Sequence, residues 1–325
     1  VKMMKLSRRV IVTAILIVVL YFAVGYLIKG EIINPFQQVN LFLMGINIIM
    51  AVSLNLLVGF TGQLALGHAG FMAIGAYVAA IFTVKLHLPF ALGIVAGAVA
   101  AAITGVIIGL PTLRLRGDYL AIATLGFAEI IRVVFVNTEY VGGAAGLIGI
   151  PQLTNWTWLY FLTIATVLLI KNFIDSTHGR ACISVRENEI AAETMGINTT
   201  KYKVLAFSMG AFFAGVAGAL YAHYFFLIQP VTFSFLKSFD ALVMVVLGGL
   251  GSISGSIIAA LLVTGLTAAL QSLAALRMVI YAAILIVVMV YRPQGLMGTK
   301  EITFAMFTKE RGETGDRGVK AKSAN

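Results

Sequence analysis

The chain has 325 residues, 60% of them hydrophobic and only 11% charged, with a mean hydropathy of +0.99. A water-soluble domain of this size needs far more charge to cover its surface, so most of the chain must face lipid and a soluble globular enzyme is excluded. The net charge of +10 sits mainly between apolar runs and at the ends, which points to membrane orientation and away from nucleic acid.

Lys2, Lys5, Arg8 and Arg9 precede an apolar run over 10–28. At ~1.5 Å per residue it nearly matches a ~30 Å hydrocarbon core. No small-residue cleavage site closes it, so it is expected to be a first transmembrane helix and not a removable signal. Further apolar runs cover 36–60, 68–84, 89–110, 118–136 and 156–174, then 204–226, 239–249, 253–273 and 278–291. The expected fold is therefore an all-α, polytopic membrane helix bundle of about ten segments. One of them, 239–249, is short enough for a half-helix or re-entrant piece. With the N-terminus inside and ten crossings, inside regions carry 18 Lys and Arg and outside loops four, namely Lys29, Lys85, Lys237 and Arg277. That bias predicts both termini in the cytoplasm. The polar stretch 299–325 reads as a cytoplasmic tail with no apolar period. A single cysteine, Cys182, excludes an intrachain disulfide.

Between the sixth and seventh runs lies ENEIAAETMGINTTKYK, residues 187–203. Asn188 is a good N-cap, Glu189 and Glu193 suit the positive end of a short helix, and Gly196 suits a left-handed stop. The spacing predicts about two helical turns over 189–195, with Asn198 or Thr199 capping the next span. Ala191, Ala192 and Met195 fall on one side, whose low profile would let another protein approach closely. The same pattern fits an ordinary amphipathic loop helix on the bilayer, but small side chains and mixed charge would gain little from membrane burial.

Ile190-Ala191-Ala192-x-x-x-Gly196 resembles the EAA loop of bacterial ABC importer permeases, with Ile190 where that motif has glutamate and Glu189 one position earlier. The stretches SLNLLVGFTGQLALGHAGFMAIGAY (53–77), GDYLAIATLGFAEIIR (117–132), GRACISVRENEIAAETMGIN (179–198), VMVVLGGLGSISG (243–255) and YRPQGLMG (291–298) all resemble permeases of branched-chain amino acid importers. The likeness is to the longer of the two permease types. It implies one transmembrane permease domain over 1–298, with a cytoplasmic coupling loop at 175–203. Its partners would be a second permease, two ATPase subunits that bind ATP and Mg, and a periplasmic substrate-binding protein. Glu189, Ile190, Ala191, Ala192, Glu193, Met195 and Gly196 would form the ATPase-coupling helix. This chain has no phosphate-binding loop of the G-x-x-x-x-G-K-[ST] form, so it is expected to be no enzyme and to bind no cofactor.

Asn55, Thr61, Gln63 and His68 lie where Gly59, Gly62, Gly67, Gly70 and Gly75 would weaken a continuous helix. Unwound backbone at membrane depth has to be buried in protein or line a cavity, so these four are substrate-path candidates. Each also fits a satisfied interhelical hydrogen bond. No second His, Cys or carboxylate is spaced to make His68 a metal ligand. Glu129 and Arg132, three residues apart, are expected to form an intramembrane ion pair that orients two helices. A urea or short-amide importer of the same family fits the sequence too. A proton- or sodium-coupled transporter fits poorly, because Glu129 is the one carboxylate clearly within a span. A non-transporting scaffold leaves the glycine-broken polar region unexplained.

Overall fold

The computed structural model describes residues 8–30, 33–112, 115, 117–270, 279, 282–283, 286, 290–291 and 295–298. Its helices are α1 (Arg8–Lys29), α2 (Pro35–Asn55), α3 (His68–Val84), α4 (Phe90–Thr112), α5 (Asp118–Asn137), α6 (Trp156–Asp175), α7 (Thr177–Glu187), α8 (Glu189–Thr194), α9 (Thr199–Ala222), α10 (Phe235–Gly248) and α11 (Ile253–Ala269). Among the described residues, one antiparallel pair departs from an all-α fold: β1 (Leu147–Ile148) beside β2 (Leu227–Ile228). Among the described residues, six helical stretches are long and apolar enough to cross a membrane, and three shorter apolar helices accompany them. Nine of the ten expected segments thus have helical counterparts among the described residues. The tenth, 278–291, lies largely outside those residues, as do Lys2, Lys5, Arg114, Arg116, Arg277 and the tail 299–325.

The centre of the bundle is α3, α4 and α9, with α2 beside them. Their glycines explain the packing. A Cβ on Gly75 would stand 2.2 Å from the Gly215 carbonyl oxygen, and one on Gly97 would stand 2.6 Å from that of Gly75. Backbone therefore touches backbone, and dispersion contacts replace the hydrophobic drive that lipid cannot supply. Gly75 and Gly70 do not weaken α3, contrary to the sequence expectation; both serve as contact surface within it. The interruption comes earlier. After Asn55, α2 widens into a π-helical turn (Leu56–Phe60), and helix resumes only at His68. Gly62 has a φ of 68°, a left-handed conformation that side-chain-bearing residues seldom adopt.

Three boundaries differ from the apolar runs, for identifiable reasons. Asn198 caps Lys201 N at 2.9 Å, so α9 starts at Thr199, before its apolar part. It then stops at Ala222, although the apolar run continues to Phe226. His223 Nε2 meets Thr83 Oγ1 at 2.8 Å near the C-terminus of α3. From there the chain turns back along α3. The Tyr77 hydroxyl lies 3.5 Å from the Ile228 carbonyl, and Ser238 Oγ accepts from Ala69 N at 2.9 Å. A 3₁₀ turn (Pro230–Phe233) leads into α10. The eighth segment therefore starts before residue 239, and 230–248 forms a 19-residue stretch of spanning length. Lys237, counted above as a loop residue, lies inside α10. Its Nζ donates to Asn47 Oδ1 at 3.1 Å, and Asn47 Nδ2 donates to Thr264 Oγ1 at 2.9 Å.

Candidate functional site

Two short helices, α7 and α8, lie between α6 and α9, and the interrupting stretch 187–203 covers the end of α7, all of α8 and the first turn of α9. Ser176 Oγ caps α7 through Gly179 N at 3.3 Å, and Asn188 Oδ1 caps α8 through Ala191 N at 3.0 Å. At the other end of α8, Gly196 has a φ of 83°. Its amide donates to the Glu193 carbonyl at 2.9 Å, and Ile197 N donates to the Ala192 carbonyl at 3.0 Å. This is a Schellman stop with glycine at C′. The expected cluster on one side divides. Ala192 is buried, whereas Ala191 is exposed and Ile190 and Met195 stand 65% and 82% exposed. The acidic residues tie α8 to α9. Glu189 Oε1 accepts from Lys203 Nζ at 2.5 Å, and Glu193 Oε1 accepts from Thr199 Oγ1 at 2.7 Å. What remains outward is a short apolar knob held by caps and two polar ties.

Arg186, the next-to-last residue of α7, connects this knob to the interruption in α2. Its Nη1 donates to the Gly59 carbonyl at 2.6 Å. Its Cγ lies 2.9 Å from where a Gly62 Cβ would sit, and Glu187 Oε1 accepts from its Nε at 3.1 Å. On the other side of Gly59 is the turn between α10 and α11, since a Gly59 Cβ would stand 2.3 Å from Gly251 N. Asn55 closes the junction. Gly251 N donates to its Oδ1 at 3.0 Å, while its Nδ2 donates to the Ser252 carbonyl at 2.8 Å and to Ser256 Oγ at 2.9 Å. Two G-x-x-G turns distant in sequence, Gly59/Gly62 and Gly248/Gly251, thus come together beside one guanidinium. A cavity of about 280 Å³ opens here, lined by Thr61–Leu64, Leu115, Leu120, Val185–Glu189 and Lys203.

The other path candidates divide by how well their polar atoms are satisfied. Thr61 Oγ1 donates to the Leu57 carbonyl at 2.6 Å, closing the end of the π turn. Gln63 Nε2 reaches the Lys203 carbonyl at 3.4 Å, but its buried Oε1 has no hydrogen-bond partner among the described residues. His68 Nε2 meets Ser53 Oγ at 2.8 Å, and its buried Nδ1 also has none. Two open buried polar atoms are costly unless a passing polar ligand or a water meets them. Asn55 and Thr61 belong to the junction, whereas Gln63 and His68 keep capacity to spare. Among the described residues no cluster of His, Cys, Asp and Glu could hold a metal. Cys182, packed in α7 with Sγ 3.7 Å from the Tyr202 carbonyl, has its thiol pushed up to about 11 by burial.

Glu129 and Arg132 do form an ion pair, with Arg132 Nε donating to Glu129 Oε1 at 2.8 Å. Both lie on α5, and their side chains remain 41% and 26% exposed. The pair therefore does not join two helices within the described residues. Arg186 escaped sequence reasoning because it read as one more basic residue of an inside loop. The paired G-x-x-G turns were visible, but glycine is too frequent here, at 33 residues, to single them out.

Residues 38–289 match the family described as branched-chain amino acid transport system / permease component. The chain belongs to this family. It is 35% identical over 287 residues to the high-affinity branched-chain amino acid transport system permease protein LivM of Salmonella typhimurium LT2, covering 78% of this chain and 68% of that protein. LivM of Escherichia coli K12 gives the same figures. Similarity to Escherichia coli K12 LivH, the high-affinity branched-chain amino acid transport system permease protein, is 27% over 287 residues, 78% of this chain and 92% of that protein. The longer permease type is thus the better match, as GDYLAIATLGFAEIIR suggested. No solved structure matches the chain.

Proposed function

We propose that this chain is the longer, LivM-type permease subunit of an ATP-driven importer for branched-chain amino acids in a bacterial inner membrane. Both termini are cytoplasmic in this reading. A second permease completes the membrane pore, two ATPases bind ATP and Mg, and a periplasmic binding protein delivers the substrate. The observation that carries the reading is the exposed, doubly capped knob of α8, joined through Arg186 to an interrupted membrane helix.

The geometry gives that knob a mechanism. An ATPase groove would take Ile190, Ala191 and Met195. Closure of the ATPase pair would then pull on α8, and the Glu189–Lys203 tie and the short α7–α8 turn would carry the pull to α7 and α9. The Arg186 guanidinium would pass it to the Gly59 carbonyl. The π turn there is a weak point, because its hydrogen bonds span five residues where those of an α-helix span four, so it can change winding at low cost. Asn55 links the same motion to the α10–α11 turn. Gln63 and His68, next to the interruption, offer neutral groups that can meet a zwitterion without trapping it.

Reconstitution tests this reading. Proteoliposomes holding both permeases and both ATPases should accumulate labelled leucine when given ATP, Mg and the loaded binding protein, with isoleucine and valine competing. Equal uptake without the ATPases, or uptake of urea in place of leucine, would refute it.

A further inference from the structure

The cavity beside Arg186 combines two kinds of lining. Leu64, Leu115, Leu120 and Val185 contribute apolar wall, and two ion pairs, Arg186–Glu187 and Lys203–Glu189, supply charge. Among the described lining residues these charges cancel, so neither a simple anion nor a simple cation is favoured. Each pair still has bonding capacity. Both carboxylates accept through Oε1, which leaves Oε2 outside the pair, and Lys203 Nζ gives one of its three donors to Glu189. The rim is open to solvent at the α7–α8 turn, where the Glu187 side chain is 66% exposed. A volume of about 280 Å³ lies near the lower end of ligand pockets, ~300–1,000 Å³, and suits one small metabolite.

Gln63 supplies the second observation. It lines the same cavity and is 3% exposed. Its Nε2 is committed to the Lys203 carbonyl, so Oε1 is the atom left open. A buried acceptor of that kind calls for an N–H or O–H donor from whatever enters. The occupant therefore needs a donor for Gln63, both signs of charge with no net charge, and a small apolar body. An apolar amino acid meets all three requirements.

We propose that this cavity is a cytoplasm-facing site for a free apolar amino acid, the product of import, and that filling it slows the transporter. The ligand's ammonium meets Gln63 Oε1 and a glutamate, its carboxylate meets Lys203 Nζ, and its side chain meets the aliphatic wall. Bound there, it ties the Gly62 loop to the α7–α8 turn, across the route by which Arg186 reaches Gly59. It biases the junction toward the arrangement described above by as much as its affinity differs between arrangements. The inference rests on the importer reading given under the proposed function.

The test uses proteoliposomes of the whole transporter, with ATP and Mg sealed inside and labelled leucine delivered by the binding protein outside. Unlabelled leucine sealed inside should cut initial uptake and ATP hydrolysis together, by about fivefold or more. N-Acetylleucine, which lacks the ammonium, and aspartate, which lacks the apolar side chain, should leave both rates unchanged. Leu115→Trp fills the cavity from a position that is 41% exposed. It should keep uptake into leucine-free vesicles and abolish the inhibition, and Leu64→Trp gives the same reading where that variant fails to assemble. No inhibition in the wild type overturns the site, as does equal inhibition by all three compounds or inhibition that survives both variants. Loss of uptake by assembled Leu115→Trp in leucine-free vesicles would put the cavity on the transport route and overturn its regulatory role. If wild-type vesicles free of internal leucine take up none, the importer reading fails and the site falls with it.

Discussion

Asn55 uses both ends of its amide to hold the turn at Gly251 and Ser252, and this decides how its loss would read out. Asn55→Ala leaves buried partners unsatisfied, at about 1–3 kcal/mol for each such group. It should therefore lower the thermal midpoint of the purified protein as well as its transport. A variant that loses transport with unchanged melting would make Asn55 a substrate ligand and not a strut. Gln63 and His68 carry the opposite expectation, since each has an open polar atom. Cys182 is a chemical control on the same fold. With its thiol pushed up to about 11 by burial, almost none is thiolate at pH 7 to 8, and the folded protein should resist N-ethylmaleimide until denatured. Prompt labelling of the folded protein at pH 7 would show that α7 does not pack as described.

Among the elements, α8 was the most legible in the sequence, and the reason is physical. Its caps at Asn188 and Gly196, and that of α9 at Asn198, involve partners within three or four residues, so local chemistry fixes them. Which side of α8 faces outward was not legible, because Ala192 turns inward against the rest of the chain and not on any feature of its own helix. The same holds for α9, whose apolar run gives no sign that the chain leaves the helix at Ala222. That stop depends on contacts with Thr83, Tyr77 and Ala69, far away in sequence. The outward side now has a definite composition, and so does its test. Ile190→Asp with Met195→Asp puts charge on a knob that makes little contact with its own protein. The double variant should insert and melt normally but fail to co-purify with the ATPases. Normal ATPase recovery would move the docking surface elsewhere.

At the level of the whole molecule, the hydrophobic runs gave the bundle but not its internal wiring. Most of the nine segments could be placed because a span is announced by some twenty apolar residues in a row, whereas the short run 239–249 hid a helix that starts at Phe235. Contacts between spans are announced by nothing comparable. Gly59 and Gly251 look like ordinary glycines until their backbones are seen side by side, and Arg186 looks like an ordinary loop charge until its guanidinium is seen on the Gly59 carbonyl. The centre of α3, α4 and α9 packs backbone against backbone, whereas the junction of Asn55, Gly59, Arg186 and Gly251 joins three elements: the π turn after α2, the end of α7 and the α10–α11 turn. The central claim is that this junction transmits ATPase motion to the membrane helices. Its most direct test is ATP-driven leucine uptake by Arg186→Ala proteoliposomes, scored with ATPase retention and binding-protein-stimulated hydrolysis on the same preparation. The account predicts that both ATPases stay bound and hydrolysis continues, while uptake falls to background and stimulation by the binding protein is lost. Wild-type uptake by Arg186→Ala, with the ATPases bound, would contradict it.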